Sequence, residues 1–426
     1  MLARAIRTVN YITALVLALG LFGCDSGQTP PPYATVTPIT PVSATPIYTD
    51  SETFRIISSL PHKGYAAQQT RQIEQAIQLA LDGKSQEDYR VFEYIALDSS
   101  DDETGEWSPA KETANVERAV ADPRVVAYIG PYASGGASIV LPIANKANLL
   151  VASPSVTWPG LSLSGYNPGE PDIYYPNGTQ NFLGMMPDDS QMGMAAADWA
   201  TKLGSKKIAV LDDGSTYSKG IAKEFSKSFS GGLGDMSSIT LSIAPPDISN
   251  LPSQLARYDA IFYAPSSVNN ASLVARTVGP LNLPIFSTDV ALDPQFIDGA
   301  GSFAANWHIV SNSVPASRLF DDVDQASANI RNALPGQFAV NAYNIATLIA
   351  QVVQPEFARD NPGGAFLPLP PNREGITRDI RSTDQEGIAG RLYFNYAGRP
   401  KFARMSGYQM IDGKFKLTEI FTVTRP

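Results

Sequence analysis

The chain of 426 residues contains one cysteine, Cys24, and two histidines, His62 and His308. A lone thiol ahead of a proline-rich stretch cannot form an internal disulfide, a Cys/His metal cluster or a catalytic thiol within the folded part. The sequence has no HExxH, no GxSxG and no phosphate-loop pattern, so the commonest hydrolase and nucleotide chemistries are missing. Carboxylates remain as acid–base groups. No basic tract occurs and the net charge is −9. Nucleic acid is therefore not an expected partner, because binding it requires a basic footprint. After residue 22 no segment is long and apolar enough to cross a bilayer.

What is present begins at the N-terminus. Arg4 and Arg7 precede YITALVLALGLF, twelve apolar-rich residues from Tyr11 to Phe22. A helix of that length rises roughly 18 Å, short of a hydrocarbon core of ~30 Å. The order of basic start, short apolar middle and small residue describes an export signal over residues 1–23. Leu21-Phe22-Gly23-Cys24 resembles the bacterial lipobox, which implies a lipidated Cys24 as the first mature residue. The alternative is an ordinary signal peptide with an incidental cysteine. Residues 24–50 are rich in Pro, Thr and Ser, including Pro30, Pro31, Pro32, Pro38, Pro41 and Pro46. Such a stretch cannot bury a core. At ~3.1 Å per residue it forms a tether reaching on the order of 80 Å. The rest of the chain is expected outside the cytoplasm, near a membrane face.

Residues 51–426 exceed one ordinary core and suffice for two lobes. Their composition is globular, with 43% hydrophobic and 17% charged residues in the whole chain. Strand and helix patterns alternate. Strands are expected at 54–60, 91–97, 125–129 and 149–152, with helices at 66–81, 110–121 and 138–146 between them. The first of these helices should stop at Asp82-Gly83. A second series follows, with helices at 189–203, 218–229, 249–257 and 268–278. Its strands fall at 207–211, 238–243, 259–264 and 284–287. The chain continues through an apolar stretch at 307–313, a helix at 341–353 and hairpin-like strands at 391–396 and 407–424. Repeated βα units predict a mostly parallel sheet with helices on both faces, an α/β fold. Two stretches interrupt the pattern. SLSGYNPGEPDIYYPNGTQN (162–181) is a Pro/Gly/Tyr-rich insertion of unassigned role, and 361–372 is a Pro/Gly-rich connection.

Three segments taken in order carry a family resemblance. They are DPRVVAYIGPYASGGASIVLPIANKANLLVASPSVTWPGL (122–161), PDDSQMGMAAADWATKLGSKKIAVLDDGSTYSKGIAKEF (187–225) and YDAIFYAPSSVNNASLVARTVGPLNLPIFSTD (258–289). The series resembles the type I periplasmic binding proteins, in the branched-chain amino-acid branch of ABC importers, across roughly residues 54–420. The resemblance implies two doubly wound parallel-sheet lobes joined by three crossover segments, near 183, 312 and 388. Lobe 1 would comprise 51–182 and 313–388, and lobe 2 would comprise 183–312 and 389–426. The chain departs from the family pattern at Ser59-Leu60-Pro61-His62, where a Gly-Pro turn is usual, and at Phe182-Leu183, where Phe-Arg is usual.

Candidate ligand-binding residues lie where strands end. Ser134 sits in a Gly-rich turn before a helix, where free N–H groups and the helix dipole suit a carboxylate. It reads equally as an N-cap. Ser155 and Thr157 follow a strand, the usual ligand position in open α/β sheets. They read equally as a turn with local hydroxyl bonds. The resemblance implies that these three hold the α-carboxylate and ammonium of an amino acid. It also implies that Tyr217 closes over the ligand. Asp289, at the end of LPIFST, is suited to meet an ammonium. Their alternatives are a packing residue and a turn cap. Tyr65 and Gln68, after the first strand, are further candidates. Trp158 reads as a loop anchor rather than a ligand stack, His62 as lacking a partner, and His308 as a packed neutral histidine.

The first functional expectation is a lipid-anchored solute-binding protein presenting a small amino acid or related polar metabolite to ABC permease subunits. No catalytic residue, cofactor or metal is implied. The second is a ligand-sensing module of the same fold that signals to a membrane partner. An extracytoplasmic hydrolase ranks third, because no nucleophile–base–orienter set is visible.

Overall fold

The computed structural model describes residues 53–64, 66–88, 91–231, 235–240, 248–315, 325–334, 336–360, 371–388 and 390–424. The expectations for residues 1–50 and for Tyr65 lie outside these residues.

In the first lobe β1 (Thr53–Leu60), β2 (Val91–Asp98), β3 (Val125–Ile129), β4 (Leu150–Ser153) and β5 (Phe182–Gly184) run parallel in the order β2-β1-β3-β4-β5. Successive residues of a strand point to opposite faces. Ile56 accordingly joins the core under α1 (Ala67–Asp88) and α10 (Gln337–Asp360). Its neighbour Ile57 joins the core under α2 (Pro109–Ala121) and α3 (Ser134–Lys146). Burial of both faces explains why these strands read as unbroken apolar runs rather than alternating ones. Helix α1 does not stop at Gly83. It continues to Asp88, since a glycine inside a helix costs only about 1 kcal/mol.

The second sheet has the order β14-β13-β10-β9-β8-β6-β7. Its strands are β6 (Lys207–Asp212), β7 (Asp235–Thr240), β8 (Ala260–Tyr263), β9 (Ile285–Thr288), β10 (Trp307–Ser311), β13 (Phe402–Ile411) and β14 (Lys414–Thr424). The pairs β10–β13 and β13–β14 are antiparallel and the other pairs are parallel. On one face α4 (Asp189–Lys202) and α5 (Thr216–Gly231) cover Phe262 and Phe286, with Phe225 stacked on Phe262 at 4.0 Å between centroids. On the other face α6 (Leu251–Leu255), α7 (Val268–Val278) and α8 (Pro294–Ala300) cover Ile261, Tyr263 and Ile309. The hairpin-like stretch expected at 407–424 is a hairpin of β13 and β14 that starts earlier, at Phe402. Asp412 and Gly413, both at positive φ, turn it, as Asp-Gly pairs commonly do. Strand β7 lies three residues earlier than the expected 238–243.

The chain first leaves the first sheet after β5, which extends to Gly184, and enters α4 at Asp189. It returns after β10 through α9 (Gln325–Ala333) and α10. The third passage differs from the expected 388. Ile388, Leu392 and Phe394 all lie in the first lobe's core, within or beside the hairpin of β11 (Asp384–Gly387) and β12 (Gly390–Tyr393). The first lobe therefore holds its chain until Phe394, and β13 opens the second sheet at Phe402. Helix α11 (Arg373–Arg381), which precedes the hairpin, packs Ile376 and Ile380 into the same core.

Candidate functional site

The loops that follow β3, β4, β6, β9 and β10 leave the carboxyl ends of parallel strands, where open α/β sheets place their ligands. The first of them is held close to β1. Gly130 has φ +126, and a Cβ there would lie 2.7 Å from the Ser59 carbonyl oxygen. Ser134 is the first residue of α3. Ala133 is the N-cap and supplies no side-chain cap, so the N-cap reading of Ser134 does not hold. Its Oγ instead accepts the Trp158 N–H at 3.2 Å. No acidic residue of its own stands in the first turn of α3, and the carboxylate near that turn is Glu112 of α2, whose Oε1 would lie 3.4 Å from a Cβ on Gly136.

The segment 153–158 is laced to that turn. Ser153 Oγ donates to the Pro131 carbonyl at 2.9 Å and accepts from the amides of Ser155 and Val156 at 3.3 and 3.0 Å. Ser155 is buried, and its Oγ donates to the Tyr132 carbonyl at 2.8 Å. Arg399, from the third crossing, donates to the carbonyls of Val156 and Trp158 and lies over the Phe182 ring at 4.9 Å. The loop is therefore fixed from both sides.

Thr157 reaches the second lobe. Its carbonyl accepts the Asp189 N–H at 3.0 Å, and its side chain stands near enough to the Asp189 carboxyl to favour the ionised form. Helix α4 starts with a capping box, in which Asp188 accepts from the amides of Ser190 and Gln191 while the Gln191 side chain returns to the Asp188 N–H. Asp188 is occupied with capping, whereas Asp189 projects from the first turn, 3% exposed. One of its oxygens, Oδ1, has no hydrogen-bond partner. Burial pushes its carboxyl up to about 7, against the effect of Thr157, with the charges of Asp188 and Asp289 adding to the rise.

Asp289 follows β9. Burial raises its carboxyl to about 6, although donors from Tyr217, Ser311 and the Val290 amide oppose the rise. Tyr217, in the first turn of α5, points its hydroxyl at Asp289 Oδ1 over 3.5 Å. Burial holds this phenol well above its ordinary range, with Asp289 and Asp189 both contributing. Thr157, Tyr217 and Asp289 thus stand together, joined by Asp189. Asp189 is the group sequence reasoning missed. The doubled Asp of PDDSQ marks a helix start without telling which acid does more than cap it.

Other candidates lie elsewhere. Gln68 is exposed on the first turn of α1, and it is Gln69 that accepts the Tyr132 hydroxyl, at 2.5 Å. His62 has a partner, contrary to the sequence reading. Its Nε2 lies 2.7 Å from Glu74 Oε1, and this bond raises its pKa. His308 packs between Trp199 and Phe286, and burial lowers its pKa, as a neutral packed histidine requires. Trp158 anchors the 162–181 insertion. Its indole N–H donates to Glu170 at 3.1 Å and its ring meets Tyr166 edge-on. The insertion in turn touches α5 of the second lobe, where Lys223 Nζ donates to the Gly165 carbonyl at 2.8 Å and sits over Tyr166. A Cβ on Gly220 of α5 would lie 2.8 Å from the Trp158 ring.

Comparison with known proteins agrees with this architecture. The sequence model of the family described as periplasmic binding protein matches residues 59–410. A Leu/Ile/Val-binding protein, BraC3, of Rhizobium johnstonii is 25% identical over 290 residues, covering 66% of this chain and 74% of the relative. The crystal structure of the branched-chain amino-acid transporter substrate-binding protein LivJ from Streptococcus pneumoniae, in complex with isoleucine, has a TM-score of 0.63 at 21% identity. That match covers 88% of this chain and 100% of the other. A solute-binding protein from R. palustris in complex with benzoate has a TM-score of 0.58 at 18% identity, covering 88% and 98%. The chain belongs to the periplasmic binding protein family and has the type I fold of two lobes, one built on a parallel sheet and one on a mostly parallel sheet.

Proposed function

We propose that this protein captures a small amino acid or related polar metabolite between its two lobes and presents it to the permease of an ABC importer. Cys24 would carry a lipid that holds it to the outer face of the cell membrane. The observation that supports the reading is the meeting of Thr157, from the first lobe, with Asp189, Asp289 and Tyr217 from the second. Hydroxyls and amides at strand ends suit a carboxylate, and buried carboxylates suit an amine. The Leu/Ile/Val-binding relative and the isoleucine complex point the same way. A thermal-shift screen of the purified protein against amino acids, amides and small carboxylic acids tests it. A ligand at 100 times its dissociation constant should stabilise the fold by about 2.7 kcal/mol. A screen in which no member of these classes raises the melting temperature contradicts the proposal.

A further inference from the structure

We infer that Asp189 is a second anionic ligand-binding group, acting with Asp289 so that the site selects solutes bearing a protonated amine over carboxylic acids without one. This rests on the proposed capture of a solute between the lobes. It starts from a geometric anomaly. Asp189 is 3% exposed, and its Oδ1 has no hydrogen-bond partner. A buried acceptor without a partner is rare in native proteins and calls for an explanation.

The surroundings do not supply the missing donor. Asp188, beside it, is engaged with the amides and hydroxyl of its own helix start. Asp289 adds like charge from the end of β9, and the Tyr217 phenol lies within the field of both carboxylates. The neighbouring cation, Arg399, donates to the carbonyls of Val156 and Trp158, and its attraction is outweighed by burial at Asp189. Asp188 and Asp289 both add negative charge beside Asp189, and Arg399 offsets it only in part. An ammonium group brings three donors and a charge, enough to serve Asp189 Oδ1, Asp289 and a third acceptor. A benzoate-like acid brings only further negative charge. Without an amine, like charges at close range favour retention of a proton by the pair. Binding an ammonium then displaces that proton, so affinity must fall as the medium is acidified.

Titration calorimetry of the full-length protein decides this. The probes are the best-binding amino acid of the standard twenty and benzoate as an amine-free acid, each at pH 8 and pH 5.5. The expected result is amino-acid affinity at least tenfold weaker at pH 5.5 for the wild type, and benzoate binding weak or absent. Asp189→Asn, which keeps the side-chain shape, should lose at least tenfold in affinity at pH 8 and show a flatter pH dependence. Asp189→Ser provides a second variant should the first fail to fold. Unchanged affinity and pH profile in folded Asp189 variants would overturn the inference while leaving solute capture intact. Binding of benzoate with no amino acid binding would overturn it in the same way. Binding of neither probe would contradict both the inference and the proposed ligand class.

Discussion

Glu112 of α2 is fully buried in the first lobe, with Ser59 Oγ and the Tyr128 hydroxyl donating to it at 2.9 and 3.0 Å. Burial nevertheless pushes it up to about 7, as it does Asp189, with Asp289 near 6. In the unfolded chain these groups titrate near 4, so between about 4 and 7 the folded state holds more protons than the unfolded one. Unfolding free energy from these groups must therefore fall as pH rises through that window and level off above it. Asp98 acts in the other direction. Burial opposes its ionisation, but donors from Ser100 and His62 hold it at about 2, so its contribution is lost only as pH falls from about 4 towards 2. Without ligand, thermal stability should peak on the acidic side of neutrality. At about 1.4 kcal/mol per pKa unit, Asp189→Asn should recover a few kcal/mol at pH 8 and little at pH 4. Melting curves across that range check it, and a parallel slope in the variant would contradict the assignment. For ligand binding the same substitution acts in the opposite sense. Asp289→Ala, which truncates one side of a desolvated charge pair, should weaken capture of an amino acid by about 2–5 kcal/mol. Calorimetry on the two proteins measures the loss, and equal affinities would remove Asp289 from the site.

At the scale of elements, the 162–181 insertion is organised by one side chain. The Glu170 carboxylate accepts from the Tyr174 hydroxyl at 2.6 Å, the Trp158 indole at 3.1 Å, and the amide and side chain of Asn167 at 2.9 and 3.2 Å. Burial would raise its pKa, but these donors together hold it below the ordinary value. Glu170→Ala leaves the buried Tyr174 hydroxyl without this acceptor, at about 1–3 kcal/mol, and releases the Trp158 and Asn167 donors from it. The variant should melt several degrees lower and alter Trp158 emission, and unchanged melting would show that the loop is held by other contacts. The main strands and helices of both lobes were legible because neighbours such as Ile56 and Ile57 are apolar on both faces and Asp-Pro or Gly punctuates the ends. Strand β5, three residues after a Pro/Gly/Tyr-rich loop, has too short a run to show a period. The third crossing was misplaced because a hairpin looks alike in sequence whichever lobe it packs on. Thr157, Tyr217 and Asp289 could be picked out by their positions after strands and by resemblance. Asp189 could not, since in Asp188-Asp189 both acids suit a helix start. Both are buried, and what separates them is that Asp188 caps α4 while Asp189 meets Thr157. Gln68 is exposed, and the register of α1 presents its neighbour Gln69 to Tyr132.

At the scale of the whole molecule, two sheets with separate cores meet where Thr157 contacts Asp189 and where Lys223 reaches the insertion. A solute held between lobes couples to their relative position, since it contacts both at once. The proposed anchor is tested apart from the fold. Cys24→Ser should abolish lipid labelling, because stable membrane attachment needs two or more acyl chains and the sequence offers no other cysteine. Persistent labelling would contradict the anchor. The central claim, capture of an amine-bearing solute by both lobes together, is tested most directly by amide hydrogen exchange on the full chain with and without a saturating amino acid from the screen. The account predicts that protection rises together in 153–158 of the first lobe and in 213–217 and 289–290 of the second. Protection confined to one lobe, or unchanged in both, would contradict it.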